Sequence, residues 1–86
     1  MTITNKTIAD KIGAYLRHEI PLAELVDWAE DAMLEGQFED ESLPMGPQIV
    51  ARLGVADVRA FGLTWEDCED MLRKLGYDAR VEVVPV

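Results

Sequence analysis

A chain of 86 residues with 49% hydrophobic and 29% charged side chains has the composition of one folded domain, with a thin stability margin, because a domain this size buries only roughly 60 to 65% of its unfolded surface. A net charge of −9 speaks against nonspecific binding to DNA, RNA or an anionic membrane, each of which needs a basic footprint. One Cys and one His exclude an internal disulfide and an all-protein His/Cys zinc site.

Charge is unevenly spread. Nine acids lie between Glu19 and Glu41, no Lys or Arg occurs from His18 to Ala51, and the rest of the chain balances eight acids against eight bases. The whole net charge therefore belongs to one segment. No apolar run reaches the roughly 20 residues of a membrane span, and the N-terminus lacks a secretory apolar stretch. The expected location is the reducing cytoplasm, with no membrane association.

In chain order, Ile8, Ile12, Tyr15 and Leu16 recur at helical spacing and predict a helix over residues 5–17, with Thr7 and Asp10 as a weak capping box. Pro21 suits the first turn of a second helix over 21–35. Its expected buried stripe is Leu22, Leu25, Val26, Ala29 and Met33, flanked by Trp28 and Ala32, with Gly36 as a left-handed stop. The three-residue link between these helices implies an antiparallel hairpin.

Residues 37–44 read as an irregular acidic surface loop. A short third helix over 47–53 would bury Ile49, Val50 and Leu53, followed by a helical turn carrying Val55, Val58 and Phe61. Thr64, then Trp65, Glu66 and Asp67, begins a last helix over 65–75, with stripe Trp65, Cys68, Met71, Leu72 and Leu75 and a C-cap at Gly76. The alternating tail of Ala79, Arg80, Val81, Glu82, Val83 and Val84 predicts a strand over 79–84. Either Thr2 to Thr4 pairs with it, or a second copy does so across a homodimer through Arg80 to Val84. The fold class expected is mainly all-α: a three-to-four-helix bundle with a short C-terminal β-strand, forming one domain over residues 1–86.

No motif specifies catalysis. Acid/base pairs need carboxyls in a cleft that separates their pKa values, and here the acids belong to a solvent face and an open loop. Glu39, Asp40 and Glu41 are contiguous, unlike the alternating ligands of a calcium loop. His18 reads as a cation at a helix C-terminus, and Cys68, among acids, as a core thiol. Ser42 lacks the glycine elbow of a serine nucleophile, and no phosphate-binding glycine loop occurs. No catalytic residue, cofactor or metal is therefore expected. Trp28 and Trp65 read as core, whereas Phe38 either folds onto the helices or stands as an exposed anchor ringed by charge.

The pattern Tyr15-Leu16-x-x-x-Ile20-x-Leu22-x-x-Leu25-x-x-Trp28-Ala29, an acidic loop and the Leu63-Thr64-Trp65-Glu66-Asp67 helix start resemble small acidic helical immunity proteins of bacteria. That resemblance implies a nuclease-toxin inhibitor, with Glu30, Asp31, Glu35, Glu39, Asp40 and Glu41 facing the toxin. The charge distribution alone gives a coarser expectation: a non-catalytic module binding a basic protein through Asp27, Glu30, Asp31, Glu35, Phe38, Glu39, Asp40 and Glu41. Imitation of DNA by spaced carboxylates is one form of that role. The alternative is a self-associating accessory protein.

Overall fold

In the computed structural model, which describes residues 1–86 with the side chain of Ala60 excepted, four helices enclose one core. Thr4 starts the first of them. Its hydroxyl accepts the Thr7 backbone N–H at 3.0 Å, and the Thr7 hydroxyl accepts the Thr4 N–H at 3.4 Å. This reciprocal box stands in place of the expected Thr7 and Asp10 pair. The helix, α1, spans Asn5–Leu16 and buries Ile8, Ala9 and Ile12.

It ends by backbone geometry. The His18 N–H donates to the Tyr15 carbonyl at 3.1 Å and the Glu19 N–H to the Ala14 carbonyl at 2.8 Å, a Schellman pair that requires a left-handed residue between them. That residue is His18, at φ 62°. Its contribution is thus a backbone conformation, and the exposed imidazole makes no hydrogen bond among the described residues.

Helix α2, Leu22–Glu35, begins after Pro21 and buries Leu25, Val26, Ala29 and Ala32. Met33, expected inside, is 48% exposed. At this end of the helix the buried position is taken by Ala32, and Ile3 of the N-terminal segment packs beside Gly36. Gly36 is extended at φ −77°, not left-handed. Glycine is needed there for space: a Cβ would collide with the Ala32 carbonyl oxygen and stand 2.8 Å from Cγ1 of Ile3.

Strand β1, Thr2–Ile3, pairs in parallel with β2, Gln37–Phe38, in the register Thr2 with Gln37 and Ile3 with Phe38. Parallel strands need a long crossover, and the α1–α2 hairpin supplies it. The residues expected to form a wholly irregular loop therefore include a strand, followed by a 3₁₀ turn at Asp40–Ser42. The C-terminal strand expected over 79–84 is absent: residues 77–86 carry no regular structure. Of the two partners expected for it, the N-terminal segment and a second copy, the first is instead held by β2.

Helix α3, Met45–Leu53, begins two residues earlier than expected and buries Gly46, Ile49, Val50 and Leu53. From its last turn Arg52 donates to the carbonyls of Phe61 and Gly62, both at 2.8 Å, and lies 3.5 Å from the Asp67 carboxylate. Among the described residues of the connecting segment, Ala56 is buried, while Val55, Val58 and Phe61 are exposed. Helix α4, Trp65–Lys74, starts at Thr64 as expected, where Thr64 and Asp67 also form a reciprocal capping box, and buries Cys68, Met71 and Leu72. It closes at Gly76, φ 93°, in a second Schellman pair through Gly76 to Arg73 and Tyr77 to Leu72. Helix α1 contacts each of the other three helices, and α2 packs along α3.

His18→Gly removes the Cβ that opposes the left-handed conformation, so it should stabilise the domain by about 1 kcal/mol. Urea melts of the two proteins check this, and an unchanged or lower midpoint would show that the His18 backbone carries no strain.

Candidate functional site

The acidic segment is held outward by what it buries. On α2, Leu25, Ala29 and Ala32 point into the core, so Asp27, Glu30, Asp31 and Glu35 project into solvent, all four exposed. After α2, Phe38 turns inward and Glu39 outward. Ser42 is buried, its hydroxyl donating to the Glu39 carbonyl at 2.7 Å, which fixes a turn that leaves Glu39, Asp40 and Glu41 exposed.

Phe38 is half-buried against the core, where its Cδ1 would lie 3.3 Å from a Cβ added at Gly46. Of the two readings of Phe38, folding onto the helices is the one observed. Trp28 is half-buried against the same core, with the Lys11 ammonium 5.8 Å from its ring centroid. Trp65 is also half-buried, and lines a groove between α1 and the C-terminal tail.

The cations pair with acids outside α2 and the turn that follows it. Lys6 pairs with Asp10 at 2.7 Å, Arg73 with Glu69 at 3.8 Å and Lys74 with Asp70 at 2.9 Å. Arg17 reaches Glu19 at 2.6 Å and, by that hydrogen bond, holds its carboxyl below the usual carboxylate range. Asp67 is also lowered, first by the Thr64 backbone N–H and hydroxyl and then by Arg52. Among the described residues, none of the eight acids from Glu24 to Glu41 has a cationic partner.

Beside these acids lies an apolar surface that sequence reasoning missed. Met33 and Leu34 of α2, with Ala51, Gly54 and Val55 at the end of α3, line a shallow groove of about 390 Å³, with Glu30 on its margin. Leu34 is 83% exposed and Val55 39%. The signal for Leu34 was present: it stands four residues after Glu30 and seven after Asp27, on the polar face of the helix.

No family model, curated protein or solved structure matches this chain. The chemistry must therefore be read from the surface itself. No group of three or more His, Cys, Asp or Glu among the described residues is arranged to hold a metal ion. No helix is long and apolar enough to cross a membrane. The Cys68 thiol is pushed up to about 11, first by burial and then by the neighbouring Asp67 charge.

A buried thiol with so little thiolate at neutral pH reacts slowly. Cys68 should be silent toward a disulfide reagent at pH 8 in the native protein and react fully once urea unfolds it. Rapid native reaction would contradict its burial beneath α4.

Proposed function

We propose that the protein is a non-catalytic binding module that docks a basic partner protein on the exposed face of α2 and the turn that follows. One observation carries this reading: the charges of α2 run against the interests of the helix. Asp27 and Asp31, and Asp31 and Glu35, are like charges one turn apart, each pair destabilising by about 0.2 to 0.5 kcal/mol. Glu35 lies at the negative end of the helix dipole, where the last turn has no basic residue.

Helix α4 is the internal contrast. Its acids begin at the positive end, its bases close the negative end, and two i,i+4 ion pairs join them. Folding accounts for the first-turn acids and the basic end of α4, as it does for Glu24 in the first turn of α2, and leaves Asp27, Asp31 and Glu35 unexplained. An external cationic surface would account for them, and would be drawn in by a field that raises the encounter rate. The resemblance to bacterial immunity proteins agrees with this role, as would any inhibitor or adaptor of a basic protein.

Exposed Val81, Val83, Val84 and Val86 favour a second reading, self-association through the tail.

In the triple variant Glu30→Lys, Asp31→Lys and Glu35→Lys, affinity for a copurifying basic partner should fall by roughly 100-fold or more, since close charge pairs at interfaces couple by about 1.5 kcal/mol or more each. The isolated domain should be no less stable in urea. Unchanged affinity, measured by calorimetry at low and high salt, would refute the proposal.

A further inference from the structure

We infer that the groove between α2 and α3 receives an amphipathic helix of the partner, an apolar ridge flanked by Lys or Arg; this rests on the binding role proposed above and names the form of its ligand. The groove floor is apolar, and its most prominent side chain, Leu34, has no packing role in the domain that would explain it. Exposed apolar side chains gathered beside a charged rim mark interaction sites rather than ordinary surface.

The occupant is constrained by charge. On α2, Leu34 is one turn from both Glu30 and Asp31 and two turns from Asp27, so whatever covers Leu34 must also meet carboxylates that have no cation of their own. A second copy placed symmetrically on this face would bring Glu30 and Asp31 toward their own kind. A nucleic acid or an anionic membrane would be repelled in the same way.

Shape narrows it further. The walls are two packed helices, and the groove contains no residue of β1 or β2, so no strand edge is offered for an extended peptide to pair with. Helix-in-groove recognition, with apolar anchors one turn apart, fits such a surface. Leu34 and Val55 then act as central contacts, while Asp27, Glu30 and Asp31 form the polar rim that orients the helix and selects against acidic competitors.

The test uses the full chain and two labelled synthetic probes of equal length, a Leu/Lys peptide with its leucines in one helical stripe and an oligolysine. Binding is read by fluorescence anisotropy and peptide helicity by circular dichroism. The stripe peptide should become helical and bind at least about tenfold more tightly than oligolysine, and the double variant Leu34→Ser and Val55→Ser should erase that advantage. Both residues are exposed, so folding should survive, and Val83→Ser with Val84→Ser on the tail controls for nonspecific adhesion.

Equal binding of the stripe peptide by wild type and the groove variant would overturn the inference. If the charge-reversed triple variant still lost both probes in that case, the broader proposal of a basic partner would stand. Indifference of both probes to charge reversal would remove the broader proposal itself. Sedimentation showing a dimer that Leu34→Ser dissolves would overturn the inference in favour of a second copy.

Discussion

Ile3 is wholly enclosed, and the arrangement of the acidic segment depends on how it is enclosed. Its side chain occupies the space that a Cβ at Gly36 would claim, while its carbonyl accepts the Glu39 N–H at 3.0 Å and the Met1 carbonyl accepts the Gln37 N–H at 2.7 Å. Apolar burial and backbone pairing thus act at the same place. The end of α2 is tied down, Phe38 is directed inward, and the following turn presents its carboxylates to water. For a domain with so small a core, a buried isoleucine near the terminus is a substantial part of the total, since losing such a side chain typically costs about 2 to 5 kcal/mol.

That anchorage bears on the electrostatics. An isolated helix with the charges of α2 would fray at its C-terminus, where Glu35 meets the negative end of the dipole. Here β1 and the core contacts of Leu25, Ala29 and Ala32 hold the helix, so the acids need not contribute to folding. The same division leaves Met33 and Leu34 outside. The face of α2 is consequently both charged and apolar, the combination that supplies steering and anchoring contacts to an interface.

The sequence made some of this legible and concealed the rest for identifiable reasons. Helix α4 was readable because its signals are local: Thr64 and Asp67 cap one end, Gly76 closes the other, and the stripe from Cys68 to Leu75 lies between. The outward direction of Asp27, Glu30, Asp31 and Glu35 followed from helical period alone. Strand β2 was not readable, because a two-residue strand has no periodicity and its partner is 35 positions away in the register Thr2 with Gln37. Gly36 resembled a left-handed stop, yet its role is close approach, which depends on Ile3 and is invisible locally. His18 was read for its charge when its backbone conformation mattered. The tail showed strand alternation, but alternation without a pairing partner leaves residues 77–86 without regular structure.

Strand pairing at Ile3 fixes the acidic turn relative to α2, and amide hydrogen exchange at Gln37 and Glu39 reports on it. Their N–H groups donate to Met1 and Ile3, so both should exchange orders of magnitude more slowly than the amides of residues 81–86 and comparably with Gly36 at the end of α2. Exchange of Gln37 and Glu39 as rapid as that of the tail would show that β1 does not hold this segment and that the acidic turn moves independently of α2.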